Sequence, residues 1–524
     1  MNRKTVFWQM AGACGIWLGF PNDLIFLPCL VFVWPVSLMV LGLEAHSARN
    51  AFLNGWLTAF AGSCAAMYWL AFPMHDVASL PWLVAFACAF CVTGVLATAS
   101  GFFTALVFVA RAQPSLALAL LLALAWTSLE SAYAEIFGCP WLPLAGALAP
   151  WPILVQPAAL VGVFGTSGLW IFVLACIVLI TLNVERRDLY TWLGAICGIS
   201  LLLLYGTWRL TENPLETEPA NHKSLHVLFV DGNINQNQKW LPAFQHKTLE
   251  AYLRLTNDAL AQSDGKPQLI IWPETAMPFF FDASPILSGL IRDVASLNNC
   301  SLIFGAPGLD MHGVKPGQSA NDQHVFNRAY LIAPDGSDAG HYDKEHLVPF
   351  GEYVPDWIKF DFLSGLLQEV GIYEPGNNGA PLRQGPLALG MLICYEGIFP
   401  WLAQQRVENG ANILVDISND GWFSGTPAAR QHLYLTCLRA IEQNRWILRG
   451  TNSGISAAID NLGRITRQTA EGKDQSLAVT ARLCSDLSPY HRWKHLFFLI
   501  CCLPLILSVP GCRMFCQRLK NDKE

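Results

Sequence analysis

Seven apolar runs crowd the first 210 residues, at Val6–Phe20, Leu24–Leu43, Ala51–Ala71, Pro81–Ala110, Leu116–Tyr133, Ile153–Leu182 and Leu189–Leu210, and an eighth stands at His495–Val509. Crossing the hydrocarbon core of a bilayer takes about 20 consecutive apolar residues in a helix. Several of the runs reach that length, and the first falls short. No single water-soluble core can hold so much apolar chain, so part of the protein must sit in lipid. The composition agrees, 53% of residues being hydrophobic and 14% charged. Arg3 and Lys4 ahead of the first run give it the look of a signal peptide. Because further apolar runs follow at once and no small-x-small cleavage site precedes them, it reads as a first membrane helix.

Short loops on the cytoplasmic side of a membrane accumulate Lys and Arg. Here Arg3 with Lys4, Arg49, Arg111, and Arg186 with Arg187 fall at alternate helix ends, whereas Pro21–Asp23, Phe72–Leu80 and Ala134–Trp151 contain neither residue type. Seven crossings from a cytoplasmic N-terminus put Thr211–Arg492 outside, and the eighth returns Arg513, Arg518, Lys520 and Lys523 to the cytoplasm. Three parts are expected: a seven-helix transmembrane region over residues 1–210, an extracytoplasmic domain over 211–492, and a closing helix with a basic tail over 493–524.

Within the middle block the apolar runs become short and are punctuated by turn residues, the pattern of an independently folded α/β domain. Strands are expected at Leu225–Val230, Gln268–Trp272, Ser301–Gly305, Ala329–Ile332, Leu389–Cys394, Asn412–Ile417, Trp446–Gly450 and Ile455–Ile459. Helices are expected at Leu241–Gln262, Pro285–Leu297, Pro400–Asn409 and Pro427–Asn444. Alternating strands and helices imply sheet covered by helices, with the strand order open. Met311–Gln323 reads as a polar insertion in a surface loop.

The net charge of -6 leaves no basic footprint for nucleic acid. Of 16 cysteines, eight precede Leu210 and four follow Ile500, in apolar regions where cysteine behaves as a small hydrophobe. Cys300, Cys394, Cys437 and Cys484 remain for the polar block and form no CxxC or CxxxH pair, so neither a zinc site nor a disulfide framework is expected.

Three segments put reactive side chains beside strand ends: Ile270-Ile-Trp-Pro-Glu-Thr275, Tyr342-Asp-Lys-Glu-His-Leu-Val-Pro-Phe-Gly-Glu-Tyr-Val-Pro355 and Leu392-Ile-Cys-Tyr-Glu-Gly397. A thiol is mostly protonated at neutral pH, so a nucleophilic cysteine needs a base, a nearby cation, or both. Glu274 can take the Cys394 proton and return it to a leaving group. Lys344 can stabilise thiolate and oxyanion, helped by the main-chain N–H of Tyr395. Alone, Cys394 would read as a core thiol, Glu274 as a turn carboxylate and Lys344 as a loop cation; together they point to a nucleophilic site.

The ordered trio Trp-Pro-Glu, Asp-Lys-x-His-Leu-Val-Pro-Phe-Gly-Glu and Cys-Tyr-Glu resembles the nitrilase superfamily, whose Glu-Lys-Cys triad sits in an αββα sandwich. The Phe-Gly-Glu-Tyr-Val-Pro extension, the Cys-Tyr-Glu form, Thr451-Asn452-Ser453-Gly454 and the flanking apolar runs narrow the resemblance to the apolipoprotein N-acyltransferase family. That resemblance implies Glu274 as general base, Lys344 as oxyanion and thiolate stabiliser and Cys394 as acyl-carrying nucleophile. Glu352 matches the family's second essential glutamate, Trp240 the position of a functional tryptophan, and Tyr395 and Glu396 the residues after the nucleophile. For Trp240 the plain alternative is an aromatic at a loop-to-helix junction, and for Glu396 a structural ion pair with a buried partner.

The reaction so implied moves a fatty acyl chain from a glycerophospholipid, typically phosphatidylethanolamine, to the cysteine. From there it passes to the α-amino group of a diacylglyceryl-cysteine on a lipoprotein, with no cofactor. A monomer in a bacterial inner membrane, its catalytic domain periplasmic, is the expected setting. Trp357–Leu367 reads either as a lipid-contacting arm or as a core helix, and Pro278–Phe281 carries the same two readings. A membrane-tethered carbon–nitrogen hydrolase (amidase) with the same triad, and a lipid-binding transporter or assembly protein, are the competing functions.

Overall fold

The computed structural model describes residues 2–76, 79–182, 188–212, 224–262, 265–310, 324–349, 351–353 and 373–493. The insertion expected at Met311–Gln323, the segment Trp357–Leu367, the run His495–Val509 and the basic tail lie outside the described residues, as do Arg186 and Arg187. Two compact units emerge, one bounded as Met1–Tyr68, Ala87–Leu215 and Leu487–Glu524, the other as Trp69–Phe86 and Glu216–Asp486.

The first unit is helical. Trp82–Ala110, Ser115–Phe137, Ala158–Leu182 and Leu189–Glu212 are long and apolar enough to cross a membrane, and the bent pair Ala48–Ala66 with Tyr68–Asp76, turned by 61°, makes a fifth candidate. The apolar runs had suggested seven within the described residues and an eighth, His495–Val509, outside them. Local chemistry explains the difference: the first helix, Arg3–Gly19, has 17 residues, and the second run breaks at the 3₁₀ turn Pro28–Phe32, leaving a helix of 12 residues over Val33–Glu44. The long helices keep large apolar side chains outward, Phe102, Leu120, Leu201 and Leu204 among them, the pattern of surfaces solvated by lipid.

The second unit is a two-sheet sandwich. Its strands are β1 (Ser224–Asp231), β2 (Leu269–Ile271), β3 (Ser301–Asp310), β4 (His324–Ile332), β5 (Asp338–Asp343), β6 (Leu382–Gln384), β7 (Leu387–Ile393), β8 (Ile413–Asn419), β9 (Ile447–Asn452), β10 (Ala457–Ile459), β11 (Ile465–Gln468) and β12 (Gln475–Arg482). They form two six-stranded sheets, ordered β12-β1-β2-β3-β4-β5 and β11-β10-β9-β8-β7-β6. In each sheet the central pairs β1–β2–β3 and β7–β8–β9 are parallel and the outer ones antiparallel.

Strand alternation decides which side chains meet. Val227 and Phe229 point into the inter-sheet core with Ile271, Ile303, Met391, Ile393, Val415 and Leu448. Leu228 and Val230 point the other way, onto Leu249 and Tyr252 of the helix Pro242–Gln262 and beside Ile291 and Val294 of Pro285–Asn298. Proline at the first turn starts Pro285–Asn298, and Asn299 in the left-handed region ends it, at φ 51°. Phe279 and Phe281 belong to this outer core, which resolves Pro278–Phe281 in favour of packing.

The sequence-based division put residues 1–210 in one helical region. The segment Trp69–Phe86 instead groups with the sandwich, where Trp69 Nε1 donates to Gln431 Oε1 at 3.1 Å. Its two ends read as the ends of membrane runs and Phe72–Leu80 as the loop between them; Trp69 is met by the aromatic and amide partners Phe423 and Gln431.

Gly450 lets the sheets approach closely: a Cβ there would lie 2.8 Å from Ile271 Cγ2. Gly450→Val is therefore expected to destabilise the protein by about 1–3 kcal/mol through overpacking. A lowered midpoint in thermal unfolding of the purified chain would register it, and an unchanged midpoint would contradict the packing described.

Candidate active site

Each sheet delivers part of the site. After β2, Trp272 N–H donates to Ile303 O at 2.8 Å, Pro273 ends the ladder, and the backbone turns through Thr275 at φ 45°. Glu274 is thereby carried over the sheet end. Gly305 has to be glycine, because a Cβ would lie 2.4 Å from Thr275 N and 2.7 Å from Glu274 Cα. On the neighbouring strands, β5 runs into Lys344, whose N–H donates to Asn327 O of β4 at 2.9 Å.

The second sheet contributes Cys394. Strand β7 is wholly buried and ends at Ile393, and Cys394 opens a 3₁₀ turn to Ile398 with φ 54°. A non-glycine residue held there costs on the order of 1–3 kcal/mol and persists only where its surroundings fix it. Here Glu396 Oε2 accepts from Ile393 N at 2.8 Å, and His432 Nε2 lies 3.1 Å from Cys394 O. Arg449 Nη2, paired with Asp420 at 3.0 Å, also lies 3.0 Å from His432 Nδ1. A carbonyl can only accept, so His432 Nε2–H donates to Cys394 O, while Nδ1 faces both Arg449 and Asp420 Oδ1, the latter at 3.4 Å.

Glu274, Lys344 and Glu352 form one buried charge cluster. Lys344 Nζ lies 2.9 Å from the Glu352 carboxylate and 3.7 Å from Glu274 Oε1. Asn327 Nδ2 donates to both carboxylates, at 2.6 Å to Glu274 Oε1 and 2.7 Å to Glu352 Oε1. Val348 N–H holds the other Glu352 oxygen at 2.8 Å. Glu274 Oε2, by contrast, is buried with no hydrogen-bond partner among the described residues.

The electrostatics follow from this geometry. Burial pushes the Glu274 carboxyl above its ordinary range; Lys344 opposes the rise and Glu352 adds to it. Burial works against the Lys344 ammonium, but Glu352 and then Glu274 overcome it and hold the group charged well beyond the usual lysine range. The Cys394 thiol is pushed well up, first by burial and then by the Glu274 charge, with Lys344 opposing. The arrangement is thus a thiol pushed toward neutrality, a glutamate pushed toward protonation with one oxygen unpartnered among the described residues, and a fixed ammonium.

The other residues singled out from the sequence take different places. Glu396 is fully buried and accepts from the Tyr342 hydroxyl at 2.8 Å and from the N–H groups of Glu345 and His346 at 2.8 and 2.9 Å. It ties the lysine loop to the cysteine turn; Arg406 meets Tyr342 and Glu345 beside it, at 2.5 and 3.0 Å. Tyr395 packs edge-on against Phe399, ring centroids 4.9 Å apart. Trp240 follows the short helix Gln236–Lys239 and is 43% exposed. Asn327, Lys239 and the His432–Arg449–Asp420 set are the residues that sequence reasoning missed. Asn327 had one signal, a polar residue two positions ahead of the apolar run Ala329–Ile332.

Comparison with known proteins adds a separate line. Residues 234–488 match the family model described as Carbon-nitrogen hydrolase, and residues 12–177 match the Apolipoprotein N-acyltransferase N-terminal domain. The chain is 32% identical over 475 residues to the apolipoprotein N-acyltransferase of Geobacter metallireducens, covering 88% of this chain and 87% of that one. It is 30% identical over 488 residues to that of Brucella melitensis, covering 89% and 88%. Among solved structures, a carbon-nitrogen hydrolase from Helicobacter pylori aligns over 53% of this chain and 94% of its own, with 17% identity and a TM-score of 0.37.

A base must be ionised to act, so a raised carboxyl loses activity on acidification sooner than an exposed glutamate would. Acylation of Cys394 by a soluble activated ester is expected to show an acid limb centred above the ordinary glutamate value of about 4.3, and Glu274→Gln should remove that limb. Rate-against-pH curves of both proteins check it; a limb centred at or below the ordinary value would contradict it.

Proposed function

The chain belongs to the apolipoprotein N-acyltransferase family, and from that premise we propose that it N-acylates lipoproteins by way of a thioester on Cys394, with Glu274 as base and Lys344 as fixed cation. The observation that carries the proposal is the unpartnered Glu274 Oε2, buried beside a lysine and in electrostatic reach of a buried thiol.

Glu274 Oε2 takes the thiol proton as sulfur attacks the ester carbonyl of a phospholipid. The oxyanion that forms is stabilised by the Lys344 ammonium, with the N–H of Tyr395 as a second donor. Collapse expels the lysophospholipid alkoxide, which takes the proton back from Glu274 and leaves the acyl group on sulfur. The lipoprotein α-amine then attacks the thioester carbonyl; a C–N bond forms, the C–S bond breaks, and a nitrogen proton passes by Glu274 to the departing thiolate. Glu352 and Asn327 touch Lys344 and Glu274 rather than substrate and act as positioning residues.

The chemistry favours a membrane setting. Exposing an acyl chain to water costs about 0.8 kcal/mol per CH₂, so donor and acceptor are best handled where both are anchored, and the apolar helices supply the anchor. A phosphatidylethanolamine-type donor, a diacylglyceryl-cysteine acceptor, an inner-membrane location with the sandwich on the periplasmic side, and a monomeric state complete the proposal. The amidase alternative uses the same triad and leaves the helical N-terminal domain without a purpose.

Incubating the full chain with phospholipid is expected to add one fatty acyl mass at Cys394, and a diacylglyceryl lipopeptide should remove it as amide. Cys394→Ala should take up none. Discharge to free fatty acid at the same rate with and without lipopeptide would make the protein a hydrolase instead. A second variant, Asn327→Ala, should slow thioester formation by about tenfold or more by freeing both carboxylates, read as the rate of mass gain; an unchanged rate would remove Asn327 from the machinery.

A further inference from the structure

Lys239 is a buried lysine with an unusual partner. Its side chain is 1% exposed, and Nζ donates to Thr275 Oγ1 at 2.8 Å, on the residue next to Glu274. Among the described residues no carboxylate oxygen lies within 4.0 Å of it. Buried ammonium groups are normally paired with an anion. A hydroxyl can donate or accept, so this partner suits an amine and an ammonium equally and fixes neither. Burial lowers the group to about 7, and the charge that opposes this is that of Glu274 on the turn after β2. Glu274 in turn feels Lys344 and Glu352.

The second half-reaction leaves a proton to place. A lipoprotein α-amine has a pKa of about 7.7–8.0 and arrives largely as ammonium at neutral pH. Of its three N–H protons the amide keeps one and the Cys394 thiolate takes one, so one is left over. Glu274 carries a proton to sulfur and must end ionised to serve the next cycle. Lys344 is held as ammonium by Glu352 and Glu274 and accepts nothing.

We propose that Lys239, as the neutral amine, takes up the surplus proton of thioester aminolysis by way of the Thr275 hydroxyl it is bonded to, which leaves Glu274 ionised, and gives it up to solvent before the next turnover. It acts through Thr275 and not on substrate, which makes it a positioning and proton-holding residue. The inference rests on the Cys394 thioester chemistry proposed above.

The two half-reactions separate the possibilities. In full-length protein, thioester formation with phospholipid and its discharge onto a diacylglyceryl lipopeptide are each timed by intact-protein mass, for the parent, Lys239→Met and Lys239→Arg. Both variants are expected to acylate Cys394 and to discharge at least about tenfold more slowly at pH 7. The deficit should close at about pH 9, where the amine arrives neutral. Arginine keeps a cation in place but cannot shed its proton, so recovery of discharge in Lys239→Arg at pH 7 would show a structural role and overturn the proposal. Equal loss of both half-reactions, or a deficit that persists at high pH, would overturn it as well. Failure of the parent to form any thioester would instead strike the Cys394 chemistry, and this inference with it.

Discussion

One side-chain amide sits between two buried carboxylates, and the site depends on that contact. Asn327 donates to Glu274 at 2.6 Å and to Glu352 at 2.7 Å, while the Lys344 ammonium neutralises one of the two charges. Two anions sharing one cation in a dry site cannot both be comfortable. Glu352 is bound closely by Lys344 and by the Val348 N–H, so the unfavourable charge falls on Glu274, whose second oxygen has no partner among the described residues. A carboxylate in that condition is a good proton acceptor, and the nearby thiol, itself pushed toward neutrality, is a proton donor.

The sandwich exists in a form that makes this meeting possible. Glu274, Asn327 and Lys344 come from β2 to β5 of one sheet, and Cys394 from the end of β7 in the other. Their relative placement is therefore set by how the two sheets pack, through Ile271, Met391, Ile393 and the missing side chain of Gly450. Glu396 crosses between them, gathering N–H groups from the lysine loop and from Ile393. Cys394 is held left-handed from behind by His432, whose other ring nitrogen faces Arg449 and Asp420. Strain in the Cys394 turn is thus maintained by a buried polar network whose members support one another.

Much of this was legible in the residues. Buried central strands such as β1, β7 and β8 announce themselves as apolar runs, and helices such as Pro285–Asn298 by proline at the start and a left-handed asparagine after the end. The edge strands β5, β6, β11 and β12 were not read. They carry alternating or polar sequences such as Asp338–Asp343 and Gln475–Arg482, and their pairing is decided by partners distant in the chain. The segment Trp69–Phe86 reads as a short loop between two membrane runs, yet groups with the sandwich, where Trp69 packs against Phe423. In the site, motif spacing singled out Glu274, Lys344 and Cys394. Asn327 and Lys239 stayed hidden, because an asparagine in a strand and a lysine before a tryptophan signal nothing until tertiary folding turns them inward.

The central claim is that the resting nucleophile is a neutral thiol awaiting its base rather than a thiolate already paired with lysine. Infrared difference spectroscopy between the parent protein and Cys394→Ala isolates the S–H stretch of this one cysteine from the others. The account predicts an S–H band from Cys394 at neutral pH that persists above the ordinary cysteine range of about 8.5. No such band at neutral pH, with the thiolate already formed, would contradict it.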